Sequence, residues 1–140
     1  MKKKFDFSKV TLKVIDINMG NIPEMFVNQN NISFSKRVLE DMGYPAYVQY
    51  CIDAEQAVFA IRACKGTEAK AVAFVKEKND QSKTLACGNK NIHEVVTHLI
   101  PEYQPKKRYK LEGHYDSENK IMYYDLSEAV VSMYYKEEKE

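Results

Sequence analysis

One plan is laid out twice along this chain: a short strand, a brief helix, then a two-stranded hairpin. The first copy covers residues 31–64 and the second residues 83–130, with a further hairpin over residues 69–87 joining them. Such a repeat restricts the fold to two matching halves closing around one small β-rich core. The expectation is therefore an α+β, β-rich architecture in which residues 1–140 form a single globular unit.

Local signals place the elements. Ile32 and Phe34 mark the first strand, with Ser35 positioned to cap the helix that follows by accepting from an amide near Val38. Val38, Leu39 and Met42 share one helical face, and Gly43 ends the helix because a residue without Cβ enters the left-handed region freely. Residues 46–52 and 58–62 are rich in β-favouring side chains around the turn 53–56. In the second copy Asn91 is the expected cap. Ile92, Val95, Val96, Leu99 and Ile100 follow as an amphipathic stripe that Pro101 closes. Tyr109, Leu111, Gly113 and Tyr115 then alternate with Arg108, Lys110, Glu112 and His114, a strand with one wet face. Residues 10–17 predict another strand, and residues 19–31 a loop whose Met25, Phe26 and Val27 pack onto the core. Residues 127–135 suggest a short helix capped by Ser127.

Composition narrows the function classes. The formal net charge is +1, so no global field favours nucleic acid, a membrane surface or acidic ligands, and a charged partner needs a local patch. The cysteines Cys51, Cys64 and Cys87 are widely spaced with no C-x-x-C pair, the pattern of free thiols in a reducing, cytoplasmic setting. No apolar run reaches the roughly 18–20 residues that cross a bilayer. His93 and His98 imitate a zinc-protease helix, but five positions set them about 140° apart on a helix, which suits no shared metal. Phosphate-loop and nucleophile-elbow patterns are missing from the sequence. The expectation is a protein without catalysis, cofactor or metal.

The densest positive run is Lys106-Lys107-Arg108-Tyr109-Lys110. It reads either as a phosphate-contacting strand or as a strand start whose outward positions are solvated. Lys36 and Arg37 open the first helix, another place where phosphate could meet free amides. The many tyrosines, among them Tyr47, Tyr50, Tyr123, Tyr124 and Tyr134, suit core edges or a subunit seam.

Residues 30–44, Asn-Asn-Ile-Ser-Phe-Ser-Lys-Arg-Val-Leu-Glu-Asp-Met-Gly-Tyr, resemble the AbrB-like swapped-hairpin domains. Ile32 and Phe34 match the strand, Val38 and Met42 the helix core positions, Gly43 the stop, and residues 47–62 the hairpin. The resemblance implies two interleaved halves in a small barrel, usually reached by dimerisation. MraZ-type relatives carry both copies in one chain. It also implies a DNA-associated transcription regulator that forms homo-oligomers; in this chain the basic residues expected to make the phosphate contacts are Lys36, Arg37, Arg62, Lys106, Lys107, Arg108 and Lys110. The chain departs from the family where Asn30-Asn31 replaces the usual Gly-Arg and where Leu39 and Glu40 stand at positions often held by arginine. The alternative is a protein-interaction or oligomerisation module that keeps the fold and has lost DNA binding.

Overall fold

The computed structural model describes residues 8, 11, 12, 22–75 and 85–135. The strand expected at 10–17 lies outside these, apart from Thr11 and Leu12, as does the turn expected at 76–82. The elements are β1 (Glu24–Val27), β2 (Ile32–Phe34), α1 (Lys36–Met42), β3 (Tyr47–Asp53), β4 (Val58–Cys64), β5 (Val72–Ala73), β6 (Leu85–Cys87), α2 (Lys90–Leu99), β7 (Lys107–Asp116), β8 (Ile121–Asp125), a 3-10 turn (Leu126–Glu128) and β9 (Val130–Tyr134). Among the described residues strand outweighs helix, 43% to 19%, in one curled antiparallel sheet carrying two helices, a β-rich α+β architecture.

The strand order is β5-β3-β4-β8-β7-β1-β2-β6, with β9 added to β7. Exchange the first half for the second, and most pairings find a mate. Hairpin β3–β4 answers β7–β8. Strand β1 lies on β7 of the other half, and β5 lies on β3. Two seams pair each half with its counterpart: β2 on β6, centred where Ser33 faces Ala86, and β4 on β8, centred where Ala60 faces Tyr123. Loop hydrogen bonds obey the same exchange. Ala63 N donates to Lys120 O at 3.0 Å, and Leu126 N donates to Ala57 O at 2.8 Å.

The hairpin turns match atom for atom. Asp53 Oδ1 accepts from Glu55 N at 3.1 Å and Gln56 N at 3.2 Å; Asp116 Oδ1 accepts from Glu118 N at 3.1 Å and Asn119 N at 3.2 Å. Each turn ends on a left-handed residue, Ala57 (φ 55°) and Lys120 (φ 58°). A carboxylate replaces the missing backbone acceptor in such turns, so the aspartate fixes the register of the hairpin it opens. Bonds from the Asn119 side chain and then from backbone amides hold the Asp116 carboxyl below its ordinary value. A depressed carboxyl favours the folded state above the unfolded-state pKa, and the gain is lost as pH falls through the folded one. Urea midpoints of the wild type should therefore fall more steeply below about pH 4 than those of Asp116→Asn; parallel pH profiles would contradict this role.

The interior is one cluster drawn from both halves. Met25, Val27, Ile32, Phe34, Val38, Leu39, Val48, Ile61, Val96, Met122, Tyr124 and Leu126 are all fully buried. Phe34 of β2 meets Phe74 at 5.6 Å and Tyr124 of β8 at 6.2 Å between ring centroids. Helix α1 packs on β7 and β8, the hairpin of the opposite half. Helix α2 lies beside β3 and β4, where Ile92 and Val95 face Tyr50, Ile52 and Phe59 across a groove.

Several local expectations are corrected. Residues 24–27 are a strand rather than loop, because β1 gains a ladder on each side, from β2 and from β7. Met25 and Val27 do pack inward. Ser35 stands at the N-cap of α1 but makes no side-chain cap bond; its Oγ accepts from Glu24 N at 2.9 Å instead. The cap of α2 is Asn89, whose Oδ1 accepts from Asn91 N and Ile92 N, so the predicted cap lies two residues too far along. Within the α2 stripe Val96 and Ile100 are buried while Val95 is 44% exposed. Residues 127–135 form the end of a 3-10 turn and strand β9, since the open edge of β7 offers backbone partners that an isolated short helix lacks. Around residues 69–87, β5 pairs with β3 and β6 with β2; no β5–β6 ladder is present among the described residues.

Candidate nucleic-acid interface

The candidate cations fall into two groups. Those on α1 are neutralised by their own helix: Lys36 Nζ lies 3.5 Å from Glu40, and Arg37 lies 3.8 Å from Glu40 and, through Nε, 2.9 Å from Asp41. The Arg37 Nε contact is an ion pair by distance, but its N–H is not aligned on the oxygen. Lys110 is tied to Glu24 at 3.6 Å. Exposed pairs contribute at most about 1 kcal/mol each, yet they leave little net positive charge for a polyanion.

The second group keeps its charge. Arg62, outward on β4, donates Nε to Gln49 Oε1 at 2.9 Å and Nη2 to the same oxygen, while Gln49 Nε2 donates to Ala69 O at 2.7 Å. A neutral amide orients the guanidinium without cancelling it. Lys107 Nζ sits 5.4 Å from the centre of the Tyr134 ring. Arg108 Cζ sits 4.2 Å from the centre of the Phe26 ring, and its Nε donates to Asn28 Oδ1 at 2.7 Å. Among the described residues neither Lys107 nor Arg108 has a carboxylate partner. Lys106 lies exposed in the preceding turn and is itself engaged in an interaction. The structure thus gathers Lys106, Lys107 and Arg108 at the start of β7 and leaves Lys36, Arg37 and Arg62 on other elements.

Strand alternation explains this placement. Tyr109 and Leu111 face the core at 4% and 2% exposure, so Arg108 and Lys110 face outward, as their spacing predicts. The surface is polar along its length. Beyond Lys110, Glu24, Glu112, Asp125 and Glu128 line a recess of about 220 Å³, making the far end acidic. A polyanion therefore meets attraction at one end of β7 and repulsion at the other.

Sequence reasoning did not single out Asn28, Phe26 or His93 for this surface. Asn28 was legible only as part of a turn-forming run. In the fold its carbonyl meets His93 Nε2 at 2.8 Å. A carbonyl only accepts, so His93 carries its proton on Nε2.

Other features have different characters. Strand β9 pairs only with β7 among the described residues, and its Val130, Val131, Met133 and Tyr134 are 53, 38, 45 and 67% exposed. The groove between α2 and β3–β4 is about 170 Å³ and apolar. Burial and then the contact with Cys87 push the Tyr50 hydroxyl up. Burial, followed by the Glu68 carboxylate, pushes the Cys64 thiol up, away from the reactive thiolate. No cluster of His, Cys, Asp and Glu able to hold a metal is present among the described residues, and no helix there is long and apolar enough to cross a membrane. No family model, curated protein or solved structure matches the chain.

Proposed function

We propose that the protein is a non-catalytic, DNA-associated regulatory protein of AbrB-like, swapped-hairpin type, arising from an internal duplication and contacting the duplex at the start of β7. The observation that carries this reading is the reciprocal interleaving of the halves. Each lends a strand to the hairpin of the other, and the two meet across β2–β6 and β4–β8. Interleaved halves are what the AbrB-like resemblance implies, and these pairings support that reading. Lys107 and Arg108, both half-buried at the start of β7 and without a carboxylate partner among the described residues, supply the means of contact.

Counting back from the matched turns at Asp53 and Asp116, the first-half counterparts of Lys107 and Arg108 are Tyr44 and Pro45. Only one half carries cations at this position, so the reading is of one-sided contact rather than a palindromic grip. The test is titration of a short generic duplex at increasing salt. Binding at low salt should weaken with a log–log slope of about −2 to −3, corresponding to two or three phosphates. An absence of binding at low salt, or a flat salt dependence, removes the reading.

A second reading, an interaction or oligomerisation module, is favoured by β9. An uncharged apolar edge strand is a template for another strand. Sedimentation of wild type against Val131→Lys separates the two: loss of a larger species on substitution, with no DNA binding, favours the module.

A further inference from the structure

A side chain meant only to keep a strand wet does not need to be held in place, yet Arg108 is held from two directions. Phe26 lies under its guanidinium and Asn28 accepts from its Nε. Asn28 is itself anchored: its backbone N donates to Asn31 O at 2.8 Å, and its Nδ2 donates to Asn31 Oδ1 at 2.7 Å and Ser33 Oγ at 3.1 Å. Its carbonyl accepts from His93 Nε2, so the β1–β2 turn, α2 and β7 all converge on one asparagine.

The guanidinium is planar and offers two forks of donors. The Nε bond to Asn28 occupies the side fork. The end fork, Nη1 and Nη2, has no protein partner among the described residues. A fork fixed in advance loses little side-chain freedom when it closes on two oxygens, and bidentate Arg–phosphate pairs are among the stronger charge-assisted bonds. Lys110, one step along the same wet face, is instead occupied by Glu24.

The geometry points to Arg108 as a bidentate anchor for one phosphodiester group of a nucleic-acid backbone, with Phe26 and Asn28 as its positioning residues. This rests on the DNA-associated reading above and adds to it which residue grips and how it is aimed. A phosphate fits better than a base edge. The fork lies on the outer face of β7, and the two oxygens of one phosphodiester match its two free nitrogens.

The experiment is salt-dependent binding of a short duplex to the full chain, measured for wild type, Arg108→Ala, Arg108→Lys, Asn28→Ala and Phe26→Leu, with circular dichroism of each to establish folding. Arg108→Ala should reduce the magnitude of the log–log slope by about 0.9 and weaken binding about tenfold or more. Arg108→Lys should keep the slope, because the charge remains, and still weaken binding about 3- to 10-fold through loss of the fork. Asn28→Ala and Phe26→Leu should likewise keep the slope and weaken binding about 2- to 5-fold, an effect of aim rather than charge. A folded Arg108→Ala with the wild-type slope overturns the anchor while leaving the DNA reading in place. A wild type that fails to bind at the lowest salt overturns both, before any variant is measured.

Discussion

Replacing Phe34 by alanine should lower the unfolding free energy by about 3–5 kcal/mol. The ring is fully buried, and it is where the halves meet: Phe34 sits on β2 of the first copy, and its neighbour Tyr124 sits on β8 of the second. Phe74 closes its other side. Truncation opens a cavity whose walls belong to different elements, so no single side chain can fill it. Against a typical total of about 5–15 kcal/mol, such a loss leaves the chain close to unfolding. Urea denaturation followed by circular dichroism reads it directly. A loss below about 1 kcal/mol would mean that Phe34 is no part of a shared interior.

The second large effect is expected at Gly113. A Cβ there would come 2.7 Å from Met122 Sδ and 3.0 Å from Tyr124 Cε1, and both those side chains are fully buried. The first-half counterparts explain the glycine. Tyr50 stands where the second half has Gly113, and Ile61 stands where it has Tyr124. One half places its bulk on β3, the other on β8, and Tyr50 stacks on Phe59 at 6.0 Å in place of a smaller residue. Gly113→Ala should cost about 1–3 kcal/mol by overpacking. Adding Tyr124→Ile should make the glycine substitution cheaper than it is alone, a coupling that a double-mutant cycle measures. Simple additivity would contradict the size exchange.

Features written in neighbouring residues were legible in the sequence. Gly43, the strict alternation from Arg108 to Tyr115, and the turns at Asp53 and Asp116 are local devices, written in consecutive residues. Strand β1 was not legible, because Gly20, Pro23 and the asparagine run dominate its neighbourhood, and only pairing with β7, far along the chain, makes it a strand. The end of the chain misled for a similar reason: helical spacing of Val130, Val131 and Tyr134 competes with a free edge on β7 that no local pattern announces. Among the candidate cations, residue types were legible but their partners were not. Lys36 and Glu40 lie four positions apart, so their pairing could have been foreseen on a helix. The holding of Arg108 by Phe26 and Asn28 could not, since it crosses from β7 to β1.

The reciprocal seams underlie every other statement about the core and the outer face. Backbone nuclear Overhauser effects across them are the direct test. The account predicts cross-peaks linking Ser33 with Ala86 and Ala60 with Tyr123, alongside those within each hairpin. Spectra in which β2 and β4 show contacts only to strands of their own half would contradict it.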